Sequence, residues 1–225
     1  MRDVLIRDGM HVDTTAVLGY PPARECTRDL EIGVGANIRS GSIIYLGSRI
    51  GERFQTGHNV VVREECTIGD DVSVWSNTVI DYGCRIGNRV KIHSTCYIAQ
   101  YTDIGDDAFL APGVCVANDL YPGQPRSAAV MSGPSIGAGA QIGVNVTLLP
   151  FVQVGAGSLI GAGAVVVFDI PPGAVAFGNP AAVRGEVRDL ADIEHRVEAV
   201  ADSASRYRRV RTTRVTPLRK ADRDR

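Results

Sequence analysis

The sequence has few aromatic residues and almost no net charge. Phe, Trp and Tyr make up 6% of its 225 residues, and the formal net charge is −1. A nearly neutral chain has no global electrostatic attraction to nucleic acid or to a membrane surface, so neither is an expected partner. The scarcity of large rings indicates a narrow interior.

Membrane segments and paired cysteines are also missing. No apolar run approaches the roughly 20 residues that span a bilayer, and the N-terminus lacks the apolar core of a signal peptide, so we expect a cytoplasmic protein. The five cysteines include no CxxC pair, which argues against a disulfide framework or a zinc site. Three of them, Cys66, Cys84 and Cys96, are expected to act as small buried hydrophobic residues.

What the sequence does contain is a strict six-residue period. An aliphatic residue recurs every sixth position from Ile32 to Val116, with Thr56 as the single exception, and again from Ile136 to Val166. A helix repeats every 3.6 residues and a simple strand every 2, so neither explains this spacing. A fixed internal period is the signature of a repeat architecture.

Each hexad reads as a short strand followed by a corner. The residue four after the aliphatic is mostly small or β-branched, and Gly often follows the aliphatic directly, as in Ile68-Gly69 and Ile160-Gly161. Three hexads would close one 18-residue coil, with parallel strands stacked about 4.8 Å apart. The 21 hexads therefore predict a β-solenoid of about seven coils.

These hexads resemble the hexapeptide-repeat acyltransferases, whose fold is a left-handed parallel β-helix. The handedness comes from the resemblance alone, because ordinary parallel crossovers are right-handed. The predicted fold class is accordingly all-β, a left-handed parallel β-helix with an ejected loop and a C-terminal helix.

The period also sets the predicted boundaries. Residues 1–31 form an irregular N-terminal cap segment and residues 32–178 the β-helix, with a loop at 117–135 where two residues exceed three hexads. Residues 179–225 hold a turn, a helix over about 189–209 and a basic tail. Thr56 in an aliphatic position, followed by Gly57 and His58, predicts a local distortion.

Three segments resemble particular parts of that family. The text around Trp75 to Gly83 with Lys91 to His93, and the loop from Ala117 to Gly123, resemble the branch that acetylates amino groups of nucleotide-linked sugars. The segment from Ile160 to Ala181 resembles the family's coenzyme A end. The resemblance implies acetyl-CoA as co-substrate, an amino sugar nucleotide as acceptor, no metal, and a homotrimer with sites between subunits.

The resemblance and the motifs nominate site residues in three groups. The catalytic candidates are His93, Asn118 and Asp119. The acceptor candidates are Asn77, Gln100, Tyr101, Tyr121 and Arg126. The coenzyme candidates are Gly143, Val144, Gly161, Ala162, Asn179, Pro180 and Arg184.

The sequence departs from the family at two points. Tyr121 stands before Pro122 where O-acetylating relatives keep a catalytic His, and Val167-Phe168 replaces a Thr-Lys pair, which leaves Arg184 as the candidate for the coenzyme phosphates. A neutral amine needs orientation more than a strong base, whereas a hydroxyl needs a base such as His. N-acetyl transfer is therefore the leading prediction.

Other functions stay open from sequence alone. O-acetyl transfer to a sugar hydroxyl would use His93 or His58 as the base. Metal-dependent hydration on this fold would need three histidines on one metal, and only His58 and His93 fall on the repeats. A third alternative is a purely structural prism, which would show flat ladders of Thr on one face, and this sequence has no such ladders.

Overall fold

The computed structural model describes residues 4–6, 9–26 and 29–187, and of residues 4–6 it describes the backbone only. The helix predicted over about 189–209 and the basic tail lie outside the described residues.

The described chain is a triangular parallel β-helix, in which successive strands visit three faces in turn. Face A contains β1 (Val4–Ile6), β4 (Leu30–Ile32), β7 (Arg49–Ile50), β10 (Thr67–Ile68), β13 (Arg85–Ile86), β16 (Asp103–Ile104), β19 (Ser135–Ile136) and β22 (Gln153–Val154). Face B contains β2 (His11–Val12), β5 (Asn37–Ile38), β8 (Gln55–Thr56), β11 (Ser73–Val74), β14 (Lys91–Ile92), β17 (Phe109–Leu110), β20 (Gln141–Ile142), β23 (Leu159–Ile160), β25 (Ala174–Gly178) and β26 (Ala181–Glu186). Face C contains β3 (Val17–Tyr20), β6 (Ile43–Tyr45), β9 (Val61–Val62), β12 (Val79–Ile80), β15 (Tyr97–Ile98), β18 (Cys115–Val116), β21 (Thr147–Leu148) and β24 (Val165–Val166).

The aliphatic residues of the six-residue period form the core. Ile50, Ile68 and Ile86 stack in register on face A, and all three are buried. Burying one such side chain contributes roughly 1.5–3 kcal/mol, so their repetition along the prism is the main favourable term. The predicted parallel β-helix is confirmed, and its strand order is consistent with the left-handed form.

The small position of the hexad has a second role beyond its size. At several coils it carries a hydroxyl or thiol that donates to the carbonyl of the residue 15 positions later, on the next coil, whereas Thr102 and Ser158 donate to the carbonyl three residues earlier. The Ser48 Oγ donates to the Arg63 carbonyl at 2.8 Å, the Thr78 Oγ1 to the His93 carbonyl at 2.8 Å, and the Cys84 Sγ to the Ala99 carbonyl at 3.2 Å. The buried Cys66 and Cys96 make the same contact.

The ladder departs locally from the repeat at Thr56, as predicted: β5 and β8 pair only at Asn37 and Gln55, although β8 and β11 pair over both residues. The Thr56 hydroxyl accepts from the Arg39 backbone N–H at 2.8 Å and lies 3.3 Å from the Ser42 Oγ, so it is satisfied inside the prism. Phe54 also fits a small position, because the residue one coil earlier is Ala36. The small Ala36 side chain leaves room for the Phe54 ring, so the core accommodates the larger residue.

The N-terminal segment differs from the irregular cap that the sequence predicted. Strands β1, β2 and β3 pair in parallel with β4, β5 and β6 and add one coil, which gives about eight. Ile6, Val12 and Leu18 do keep the six-residue spacing. The segment between Tyr20 and Leu30 then shifts the phase, and that shift concealed this coil.

The corners between faces carry the remaining features, and we name each by the faces that it joins. Residues 117–134 leave the prism at the C–A corner, between β18 and β19, and include one short 3-10 helix, Ser127–Ala129. At the C-terminal end β25 and β26 form an antiparallel hairpin on face B. Within the described part of the chain, no helix is long and apolar enough to cross a membrane.

Candidate functional site

The predicted catalytic histidine lies at the B–C corner in a stack of rings. His93 follows β14 directly and is half-buried. Its ring is parallel to that of Trp75, one coil away, with 4.3 Å between ring centroids and 9° between planes, and it lies 4.9 Å from the Phe109 ring. No hydrogen bond to the ring nitrogens of His93 comes from any described residue. Stacking alone therefore orients this imidazole.

The predicted coenzyme residues follow along the same corner. Gly143 and Val144 come after β20, and Gly161 and Ala162 come after β23, each in the position that His93 or Ser94 occupies in its own coil. A Cβ on Gly143 would lie 2.6 Å from the Ala162 backbone N, so no side chain fits there. The edge is left as bare backbone beside the exposed Val144.

The C-terminal hairpin ends this edge with an aromatic ring and a cation. A Cβ on Gly161 would lie 2.7 Å from the Phe177 Cβ, so a side chain at this position would collide with Phe177. The Arg184 guanidinium lies over the Phe177 ring, 5.8 Å from its centroid. Asn179 and Pro180 form the exposed turn of the hairpin, with a cis peptide bond between them. The seven predicted coenzyme residues thus occupy one continuous stretch.

A groove of about 670 Å³ lies on face B beside the ring stack. It is lined by Lys91, Phe109 and Gln141, with Asp71, Arg89 and Asp107 along its A–B side. Arg89 is engaged by Asp107 at 2.7 Å, and Asp71 by Arg53 at 2.6 Å. Lys91 forms no ion pair with any described residue, so it is the cation of this groove that can receive an anion.

The C–A corner holds the other predicted residues in a polar network. The Gln100 Nε2 donates to the Asp81 Oδ2 at 2.7 Å, and the Asn118 Nδ2 donates to the Gln100 Oε1. Both ends of the Gln100 side chain are thus used inside the protein. Gln100 supports Asn118 rather than projecting freely toward a ligand.

Two buried carboxylates of this network were not nominated from the sequence. Asp81 is 6% exposed and Glu64 1% exposed. The Arg63 guanidinium holds Glu64 through bonds of 2.8 and 2.9 Å and lies 3.4 Å from the Asp81 Oδ1. Burial alone would raise the pKa of Glu64, but the Arg63 pair outweighs it and keeps that pKa below its usual value. The spacing was the available signal, because Arg63 and Asp81 are one 18-residue coil apart and Glu64 and Gln100 are two coils apart.

Aromatic residues enclose this network on its outer side. The Tyr82 and Tyr101 rings meet edge to face at 5.4 Å, and the Arg24 guanidinium lies 3.8 Å from the Tyr82 centroid. Tyr101 has a φ of 59°, a conformation that is uncommon for a bulky residue. A Cβ on Gly83 would lie 2.7 Å from the Tyr101 ring, so that glycine makes room for it. Tyr101 is a wall of the network that also remains 42% exposed.

The ejected loop is fastened at its base and open at its tip. The Ser132 backbone N–H donates to the Asn118 carbonyl at 3.0 Å, and the Gly133 N–H donates to the Gln100 carbonyl at 3.0 Å. One Asp119 carboxylate oxygen accepts from the Tyr121 backbone N–H at 2.8 Å. Tyr121 is 60% exposed, and Arg126 is exposed without an ion-pair partner in the described chain.

Asn77 has a role in the fold. Its φ of 60° fits the left-handed corner position, which Asn tolerates well, and the Asn59 Nδ2 donates to its Oδ1 at 3.2 Å. It lies at the B–C corner, near Trp75.

The two groups of predicted residues do not meet within one chain. His93 and the coenzyme stretch occupy the B–C corner, and Gln100, Asn118 and Asp119 occupy the C–A corner. One face of six residues separates these corners, up to about 20 Å at a strand rise of 3.3 Å. Across residues 9–26 and 29–187, no group of three or more His, Cys, Asp and Glu side chains is arranged to hold a metal ion.

Comparisons with known proteins agree with this architecture. The family model described as bacterial transferase hexapeptide (six repeats) matches residues 47–81 and 133–167. A Staphylococcus aureus (strain MRSA252) protein, whose name assigns it provisionally as an acetyltransferase, is 51% identical over 53 residues, 23% of this chain and 27% of that protein. The chain thus spans about a quarter of the length of the curated relatives that it matches first.

A solved structure shares the fold. The polySia-specific acetyltransferase NeuO has a TM-score of 0.52 and 21% identity, over 80% of this chain and 82% of that chain. Perosamine N-acetyltransferase from Caulobacter crescentus has a TM-score of 0.38 and 20% identity, over 79% of this chain and 57% of that chain. The predicted resemblance to hexapeptide-repeat transferases is confirmed.

Proposed function

We propose that this protein transfers an acetyl group from acetyl-CoA to the amino group of a nucleotide-linked amino sugar, as a homotrimer. The observation that carries the proposal is the continuity of one edge. Along the B–C corner, His93 is followed by the bare backbone at Gly143 and Gly161 and then by Phe177 and Arg184.

Such an edge suits a long, thin carrier with a reactive group at one end. Four coils separate His93 from Phe177, on the order of 19 Å at a spacing of 4.8 Å. The pantetheine arm would lie against exposed backbone amides, and its thioester would reach the ring stack of Trp75 and His93. Arg184 would meet the coenzyme phosphates, since a guanidinium suits that geometry. The match to bacterial transferase hexapeptides supports the same assignment.

The choice of an amine follows from the surroundings of His93. A histidine that acts as general base is normally held by a third group through its other ring nitrogen. His93 has no such partner among the described residues. An amine that arrives neutral needs only orientation and later loss of a proton.

The groove on face B supports a nucleotide-linked acceptor. Lys91 faces this groove without an ion-pair partner in the described chain, and Phe109 joins the groove to the His93 stack. The acceptor's diphosphate would bind Lys91, which brings its sugar toward His93. Because Asn118 and Asp119 lie at a different corner, they would come from the loop of a neighbouring subunit, as a closed threefold assembly allows.

The direct test incubates the purified protein with acetyl-CoA and a panel of amino sugar nucleotides, and reads the acetyl mass increment. Each acceptor is paired with the analogue whose amino group is replaced by hydroxyl. Acetylation of one amino compound, with no product from its hydroxyl analogue, is expected. Acetylation of the hydroxyl analogue at an equal rate would overturn the assignment to amines.

A further inference from the structure

Asp81 is a buried carboxylate with every acceptor position engaged. Its Oδ1 accepts from the Tyr82 backbone N–H at 2.8 Å and lies 3.4 Å from the Arg63 guanidinium. Its Oδ2 accepts from the Tyr97 hydroxyl at 2.9 Å and from the Gln100 amide at 2.7 Å. Burial, followed by this bond to Asp81, raises the pKa of Tyr97 to about 12, so its hydroxyl remains a donor.

The carboxylate determines which way the Gln100 amide faces. A carboxylate can only accept hydrogen bonds, so Gln100 must present its NH₂ group to Asp81. Its carbonyl oxygen is then turned toward Asn118. That oxygen can also only accept, so Asn118 must present its own NH₂ group to Gln100. The orientations of the Gln100 and Asn118 amides are thus both fixed by the Asp81 carboxylate, which can only accept hydrogen bonds.

One consequence reaches the candidate site. With its NH₂ group held by Gln100, Asn118 keeps its side-chain oxygen on the side away from the network. An amide oxygen accepts a hydrogen bond from an N–H, so it suits an amine nucleophile more than a developing oxyanion. The backbone of Asn118 is fixed as well, since its carbonyl accepts from Ser132 at the base of the loop.

We propose that Asp81 and Gln100 are positioning residues that fix the direction of the Asn118 amide, so that its oxygen receives the N–H of the acceptor amine. This inference rests on the proposed function. It assigns Gln100 to supporting Asn118 instead of contacting the acceptor, and it assigns Asp81 a role that the sequence alone did not indicate.

The test compares two variants that each remove one hydrogen bond from the same Asp81 oxygen. Gln100→Met keeps a side chain of similar length and breaks the connection to Asn118. Tyr97→Phe removes the other bond and leaves that connection intact. Both are made with and without Asn118→Ala, and kcat, the acceptor KM and the thermal midpoint are measured for each protein.

The expected result is a split between the two variants. Gln100→Met lowers kcat/KM for the amine roughly 10- to 100-fold, as misplacement of an orienting group does, and has almost no further effect once Asn118 is Ala. The kcat/KM of Tyr97→Phe stays within about 3-fold of its parent in both backgrounds, since the hydrogen bond that it removes does not connect to Asn118. Asn118→Asp is expected to behave like Asn118→Ala, because a carboxylate cannot donate to Gln100.

The inference is overturned if Gln100→Met lowers kcat/KM by the same factor in the parent and in the Asn118→Ala background. It is also overturned if Tyr97→Phe lowers kcat/KM as much as Gln100→Met does. If Gln100→Met does not fold, Asp81→Asn replaces it, because an amide at position 81 no longer dictates the direction of Gln100. If Asn118→Ala alone leaves kcat/KM unchanged in an active enzyme, the acceptor role of Asn118 in the proposed function is what fails, and this inference fails with it.

Discussion

The B–C and C–A corners are built from the same hexad but are finished in opposite ways. At the B–C corner, Gly143 and Gly161 leave the backbone bare, and rings or exposed aliphatic groups flank it. At the C–A corner, the first two positions after a face C strand carry Asp81, Glu64 and Gln100. Gln100 donates to Asp81, and Arg63 lies between Asp81 and Glu64. A repeat that fixes only the core leaves its corners free to diverge, toward bare backbone in one case and a hydrogen-bonded network at the base of a loop in the other.

The largest expected effect comes from covering the bare corner. Ala162→Trp should weaken coenzyme A binding by about 100-fold or more, because a bulky ring would occupy the edge proposed for the pantetheine arm. The aliphatic Ile160 is untouched, so the solenoid should keep its thermal midpoint. Isothermal titration with coenzyme A gives the affinity.

A matched control is available at another corner. Ala156 holds the equivalent exposed position at the A–B corner, six residues earlier. Ala156→Trp should bind coenzyme A within about 3-fold of the parent protein, since distant sites act independently. Equal loss in both variants would remove the B–C corner as the coenzyme edge.

A smaller effect is expected from His93. His93→Ala should retain measurable acetylation of an amine, with a loss of about 10- to 100-fold from weaker orientation. The pH profile of kcat should follow deprotonation of the substrate amine, without an inflection near pH 6.5, where an ordinary imidazole titrates. Complete loss of turnover with normal binding of both substrates would make His93 the general base.

Lys91 tests the proposed acceptor site in the face B groove. Lys91→Ala should raise KM for the nucleotide sugar about 10-fold, as expected when a hydrogen bond to a charged group is lost, and leave KM for the free amino sugar unchanged. Arg85→Ala is the control, because Arg85 is a cation of the same coil on face A, where Asp103 pairs with it. A similar rise in KM for the nucleotide sugar and for the free amino sugar would show that Lys91 does not bind the diphosphate.

The smallest effect is expected at the C–A corner and concerns how stability depends on pH. The lowered pKa of Glu64 means that its ion pair with Arg63 stabilises the fold above about pH 4.5, the ordinary value, and that this stabilisation is lost as pH falls through the lowered one. Glu64→Gln should therefore lower the thermal midpoint by a few degrees at pH 7, and the gap should close as the pH falls through the lowered pKa. Glu31→Gln, in an exposed pair with Arg49, should show no such pH-dependent gap.

Sequence reasoning predicted the prism because one aliphatic every six residues has a single structural meaning. It missed the first coil, where the phase shifts after Leu18. It did anticipate the local departure at Thr56, whose hydroxyl accepts the Arg39 backbone N–H. The coenzyme candidates, which were drawn from three stretches between Gly143 and Arg184, lie together. Asp81 and Glu64 were missed because burial and pairing depend on contacts between coils, which the hexad pattern does not describe.

The central claim is that the two corners serve one reaction although they lie apart in each chain. Its most direct test is activity in a mixture of two disabled subunits, Ala162→Trp and Asn118→Ala, co-expressed in equal amounts. If each site joins the B–C corner of one subunit to the loop of the next, half of the subunits supply an intact edge and half an intact loop, and about one quarter of the sites should be restored. Activity no higher than the mean of the two parent variants would contradict the account.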